Sequence, residues 1–160
     1  MAQSSREIKR RISSISKTQQ ITKAMEMIAA SKLRSAQETV VSTRPYYERL
    51  TSSLGTALRA VEQAGEELPE MIQGRGGDSH CLLVLAGDRG LAGGYNSSII
   101  RRAEAFMKEH PETEMVIVGR KVRDHFRRRN RTSLAEFVGI GDEANLRTAQ
   151  DIGHVIFDFF

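Results

Sequence analysis

The segment Gly87-Asp88-Arg89-Gly90-Leu91-Ala92-Gly93-Gly94-Tyr95-Asn96 gathers the chain's most distinctive chemistry, four glycines around a carboxylate and a guanidinium. It follows an apolar run and precedes an amphipathic one, so it occupies the strand-to-helix turn at which α/β proteins commonly hold phosphates. A phosphate loop requires Gly-Lys-Ser/Thr after its first glycine, and a dinucleotide turn requires Gly-x-Gly-x-x-Gly; neither spacing is present. The preferred reading is a structural loop of Asp88, Arg89, Gly90, Gly93 and Gly94. In it the glycines permit tight turning and close helix approach, while Asp88 and Arg89 bond locally. A nucleotide site is the alternative.

A second group, Lys121, Arg123, Arg127, Arg128, Arg129 and Arg131, is dense enough in cations to contact phosphates on a nucleic acid. Only Phe126 interrupts it, so base stacking is poorly provided for, and a solvated basic helix face is the simpler reading. The four histidines, His80, His110, His125 and His154, are widely separated, and although His80 adjoins Cys81, no histidine recurs with cysteines or paired carboxylates at a metal-ligand spacing. No metal ligand set and no cofactor are therefore expected. Neither does any serine, cysteine or carboxylate sit in an arrangement suited to nucleophilic or acid/base catalysis, and no catalytic residue is assigned.

These groups need a scaffold. From Ser4 to about Ala60 there is one proline and one glycine in a background of good helix formers, so a single helix can run through all of it. At about 1.5 Å per residue such a helix spans roughly 85 Å, more than a domain of this size can cover. Its apolar stripe begins at Ile8, Ile12 and Ile15, meets Gln19, Thr22 and Glu26, and resumes at Ala29, Leu33, Ala36 and Val40. Spacings of three and four are those of a coiled-coil seam. Ile21, Ala24, Met25, Met27 and Ile28 turn apolar groups toward further faces, so the middle segment can touch more than one neighbour. Over positions 1–40 eight basic residues stand against three acidic ones. Pro45 predicts a bend, with helix resuming through Leu50, Leu54, Leu58 and Val61; two helices meeting at Pro45 is the competing reading.

Residues 62–80 lose periodicity and collect glycine and proline, which is linker composition. Beyond it, Cys81–Ala86, Met115–Val118 and Leu134–Val138 read as strands, and Ser97–Glu109, Lys121–Arg129 and a segment capped by Asn145 read as helices. The order βαβαβα implies a parallel sheet with right-handed crossovers. The organisation expected is a helix over 1–61, a linker over 62–80 and a truncated α/β domain over 81–160. With three strands the sheet is small, and either another chain completes it or the 160 residues are a fragment.

Composition agrees with an extended element beside a modest core: 39% of residues are hydrophobic, 6% aromatic, and tryptophan is absent. The net charge of +4 suits an acidic partner, be it nucleic acid, an anionic membrane surface or a protein. A single cysteine, Cys81, excludes an internal disulfide and fits a reducing compartment. No apolar run approaches a membrane span, and no signal core opens the chain, so a cytoplasmic protein that meets a membrane only through partners is expected.

Two stretches resemble the gamma subunit of the F-type ATP synthase. One joins Arg6–Arg11 with Thr18–Arg34, that is Thr18-Gln19-Gln20-Ile21-Thr22-Lys23-Ala24-Met25-Glu26-Met27-Ile28-Ala29-Ala30-Ser31-Lys32-Leu33-Arg34; the other is Asp88–Asn96. Similarity continues through Arg44-Pro45-Tyr46 and, more loosely, Val116–Arg120, covering nearly all of this chain and about the first half of the family's length. Ala92 stands where the family often carries cysteine. The resemblance implies the central stalk of a rotary motor: a long helix forming half of an antiparallel coiled coil within a ring of three alpha and three beta subunits, and a partial Rossmann-like parallel sheet with flanking helices below it. It implies contact with the epsilon subunit and the c ring, on the cytoplasmic side of the cell membrane. By the same resemblance Ile8, Ile12 and Ile15 form the coiled-coil seam. Lys23, Met25 and Glu26 lie against the acidic lobe of a beta subunit, where torque passes, and proton flow is coupled to ATP chemistry held on the alpha and beta subunits. A basic nucleic-acid-binding α/β module and a small nucleotide-binding enzyme are the rival readings.

Overall fold

The computed structural model describes residues 4–74, 76–77, 79–141 and 145–160; positions 1–3, 75, 78 and 142–144 of the expected segments lie outside it. The chain divides into two compact units, Met1–Leu68 and Pro69–Phe160.

The first unit is dominated by one helix, α1 (Ser5–Gln63). Helix continues through Pro45, whose missing N–H leaves one ladder bond unmade, so the proline does not divide it into two helices. Its hydroxyl residues are accommodated by back-bonding: Thr18, Thr22, Thr39, Thr43, Thr51 and Thr56 each donate Oγ1 to the carbonyl four residues earlier, at 2.9 to 3.0 Å. Arg11 pairs with Glu7 at 3.2 Å and Arg34 with Glu38 at 2.9 Å. Exposed pairs at this spacing contribute about 0.3 to 0.5 kcal/mol each, so they trim the helix and do not make it. No residue of α1 is buried. Ile12, Ile15, Ile21, Met27, Ile28 and Leu33 are all more than half exposed.

The second unit is α/β. After a one-turn helix α2 (Glu70–Gln73), which interrupts the otherwise irregular linker, come β1 (Cys81–Leu85), α3 (Tyr95–Glu109), β2 (Glu114–Val118), α4 (Arg120–Arg127), β3 (Ala135–Phe137) and α5 (Leu146–Phe159). The strands form a parallel sheet in the order β1-β2-β3, with Leu83 opposite Val116 and Val118 opposite Phe137. Helices α4 and α3 start one to two residues earlier than the periodicity predicts, and β1 and β3 are one residue shorter at their ends.

Alternation along β2 explains the layers. Met115 and Ile117 enter a core with Val84 of β1, Ala103 and Met107 of α3, and Val122 and Phe126 of α4. Val116 and Val118, on the opposite face, are also buried, and α5 packs against β2. Being covered on both sides is what makes β2 a continuous apolar run. Full burial of a side chain such as Phe126 contributes about 1.5 to 3 kcal/mol, and α4 supplies two of these at i and i+4. Asn145 caps α5, its Oδ1 accepting from the Arg147 N–H at 2.8 Å. Burial, and then the nearby Glu114 carboxylate, push the Cys81 thiol above its ordinary range. That keeps it protonated and unreactive near neutrality.

Candidate functional site

On α1, the residues of the expected seam and torque contact are all on the surface. Ile8 is 45% exposed and Met25 48%; Lys23 and Glu26 are exposed. Ile8, Ile12 and Ile15 recur at four and three residues and so share one side of the helix. Among the described residues of the unit nothing buries them. Apolar side chains left in water on a cationic helix forgo burial, the largest stabilisation open to them.

The glycine loop is positioned by the C-terminal ends of the strands. A cleft of about 740 Å³ opens there, lined among others by Asp88, Arg89, Tyr95, Arg120 and Gly139. Asp88 crosses it. Its Oδ1 accepts from the Arg120 N–H at 2.8 Å and its Oδ2 from the Gly139 N–H at 2.9 Å. The expectation that Asp88 bonds locally is therefore incorrect: its partners lie 32 and 51 residues away, at the start of α4 and after β3. A parallel sheet brings all its strand ends to one rim, which is why a loop after β1 can reach both. The carboxylate takes the helix N-terminus that a phosphate would need.

Asn96, which the sequence reading did not single out, holds the loop from inside α3. Its Oδ1 accepts from the Gly87 N–H at 2.9 Å and its Nδ2 donates to the Arg89 carbonyl at 3.3 Å. Arg89 thus takes part through its backbone. Leu91 adopts φ 59° and is 94% exposed, and Gly93 has φ 53°. Gly90 lies beside Lys121, and Gly94 caps α3. Replacing Asn96 with alanine should cost about 1 to 2 kcal/mol. The Gly87 amide should then exchange with solvent roughly tenfold faster, since each 1.4 kcal/mol is a factor of ten; unchanged exchange would show that the amide side chain does not hold the turn.

The fold also joins residues that are distant in sequence. His80 and His110 stack with ring centroids 4.2 Å apart, both against Phe106. His125 Nε2 lies 2.7 Å from Glu104 Oε1, tying α4 to α3. Among the described residues no group of three metal-ligating side chains converges. Among the same described residues no helix is long and apolar enough to cross a membrane.

Comparison with known proteins gives one answer. The family model described as ATP synthase matches residues 4–160. The ATP synthase gamma chain of Pelotomaculum thermopropionicum is 44% identical over 154 residues, covering 96% of this chain and 53% of that one. The ATP synthase gamma chain of Heliobacterium modesticaldum is 41% identical over 155 residues, covering 97% and 52% respectively. A cryo-EM structure of the Tetrahymena thermophila mitochondrial ATP synthase, central stalk and c ring, superposes with a TM-score of 0.55 at 26% identity, over 85% of this chain and 58% of that chain. The chain spans about half the length of the relatives it matches. A long helix with exposed apolar residues, a three-stranded parallel sheet and sequence similarity over residues 4–160 place this chain in the ATP synthase family, among the gamma chains.

Proposed function

We propose that the chain acts as the central-stalk rotor of an F-type ATP synthase. In this role it carries rotation driven by proton flow to the alpha and beta subunits, where ATP is made or hydrolysed. The observation that carries this reading is the 59-residue helix α1, without one buried residue. At about 1.5 Å per residue it is some 88 Å of structure whose apolar side chains have no place to go within its own unit. Burial against a second helix of the stalk and against the ring of alpha and beta subunits supplies what the unit lacks. The cationic excess around Lys23 favours the acidic lobe of a beta subunit. The α/β unit faces the epsilon subunit and the c ring, at the cytoplasmic side of the membrane, with membrane contact only through these partners. On this reading the chain itself holds neither a catalytic residue nor a cofactor, and the loop of Asp88, Arg89, Gly90, Gly93 and Gly94 is structural.

Mixing the chain with an assembled ring of alpha and beta subunits tests the proposal at its root, and a stable complex is the expected result. A chain that elutes separately from the ring at micromolar concentrations is not a stalk. Coupling is tested by Met25→Lys in the complete enzyme. Burying an unpaired ammonium costs several kcal/mol, so protons pumped per ATP hydrolysed should fall to less than about half while assembly changes by no more than about twofold. Normal pumping with that substitution would remove Met25 from the torque contact.

A further inference from the structure

The outward face of α4 is built differently from a generic basic surface. At 100° per residue, Arg127, Arg120, Asp124, Arg128 and Lys121 fall in that order within about 120° of arc, directly opposite Val122 and Phe126. Those two are 0% and 1% exposed, so the helix is anchored by its apolar side and presents a fan of cations on the other. Two of the charged groups are already engaged. Arg127 forms a two-point pair with Glu136, Nε to Oε1 at 3.0 Å and Nη2 to Oε2 at 2.6 Å. Asp124 accepts from Arg123 Nε at 2.9 Å and Nη2 at 2.7 Å. That hydrogen bonding, then the charges of Arg123, Arg128 and Arg120, hold the Asp124 carboxyl below the usual range, so the one acid in the fan stays ionised. The side chains of Arg120, Lys121 and Arg128 make no hydrogen bond or ion pair among the described residues.

We propose that this face of α4 is a docking surface for an acidic polypeptide segment, in which Arg120, Lys121 and Arg128 each take a carboxylate from the partner. The pairing chemistry is already present on the same helix, where Arg127 grips Glu136 in the fork geometry that suits guanidinium and carboxylate. A nucleic acid fits less well. Its bases need stacking surfaces, and Phe126, the single aromatic of the segment, is fully enclosed. A lipid surface also fits less well, because a planar array of headgroups meets a convex fan only along its crest, and α4 exposes no apolar side chain to insert. Glutamate and aspartate side chains of a partner can reach around the arc. With no exposed apolar centre on the helix, the contact is electrostatic, quick to form and sensitive to salt. It does not depend on the rotor reading, since the surface belongs to this chain whatever it assembles with.

The test uses the full 160-residue chain, isotopically labelled, with a synthetic peptide of alternating glutamate and serine as probe. Amide shifts should concentrate on α4, and binding should weaken steeply as salt is raised. The double substitution Arg120→Gln with Arg128→Gln should lower affinity by about fivefold or more, whereas Lys9→Gln with Arg10→Gln on α1 should leave it unchanged. Amide protection along β2, measured on both variants, confirms that the fold is retained. Shifts centred on α1, or wild-type affinity in the α4 variant, would overturn the proposal. So would tighter binding, through these same residues, to phosphatidylcholine vesicles containing phosphatidylglycerol or to a single-stranded oligonucleotide.

Discussion

Gly119→Ala should abolish the folded α/β unit. Gly119 sits between β2 and α4 at φ 106° and ψ 138°, a backbone conformation that residues with a Cβ avoid. A Cβ built there would lie 2.1 Å from the Ala86 carbonyl oxygen and 2.7 Å from its carbon. Neither side can yield. The Ala86 N–H is bonded to the Val118 carbonyl at 2.9 Å, and the Gly119 N–H to that of Phe137 at 2.8 Å, so relief of the clash breaks the sheet on both flanks of β2. Strain and clash together exceed about 4 kcal/mol, a large part of the stability of a domain this small. The comparison is Gly93→Ala. Gly93 is also left-handed, at φ 53°, but nothing lies within 4 Å of a Cβ there, so only the conformational cost of about 1 to 2 kcal/mol applies. The measurement must be specific to the sheet, because α1 dominates the far-ultraviolet signal. Amide exchange at Val116, Ile117 and Val118 should lose its protection in Gly119→Ala and keep most of it in Gly93→Ala; equal protection in the two variants would show that the close approach to Ala86 does not constrain this backbone.

Asp88→Ala should produce the second largest loss. Two backbone N–H groups lose a charged acceptor at once, and hydrogen bonds to charged groups contribute about 1.5 to 3 kcal/mol each. Asp88 is partly exposed, which discounts the pair to about 2 to 3 kcal/mol in total. For a domain of under a hundred residues that lowers the unfolding midpoint by roughly 10 to 20 °C. Asp88→Asn should fall between, since one oxygen remains to accept while the new amide N–H meets another donor. A midpoint within a few degrees of wild type in Asp88→Ala would mean that water replaces the carboxylate without penalty. Any reading of the cleft as a site filled from within would then be lost.

Much of the architecture was legible because it is written locally. Met115–Val118 is apolar without interruption and is a strand covered on both faces; Cys81–Ala86 is as apolar and gives a strand too, but at the sheet edge, where Val84 is buried and Leu85 is 50% exposed. Asn145 ahead of Leu146 and Ala149 marks a capped helix. The long helix followed from propensity alone. What periodicity cannot express is a bond between distant positions. Asp88 looks like a turn residue, yet its partners are Arg120 and Gly139. The stacking of His80 on His110 is likewise invisible until the ends of α3 and β1 are brought together. Gly119 carried no motif of its own; its demand for a missing side chain comes from Ala86, the residue just past the end of β1.

The threonines of α1 impose one more property on that helix. At 100° per residue, the back-bonded hydroxyls of Thr18, Thr22, Thr39, Thr43 and Thr51 fall within about 120° of arc, with Thr56 apart. Each shares a carbonyl that the ladder already uses, which loosens the turn beneath it and tilts the axis slightly. Small tilts scattered around a cylinder cancel, but tilts gathered along one meridian add. The helix is accordingly more compliant in one direction than in another, a directional spring written in hydroxyl groups along the same side that carries Ile15, Ile21, Met25, Leu33 and Val40.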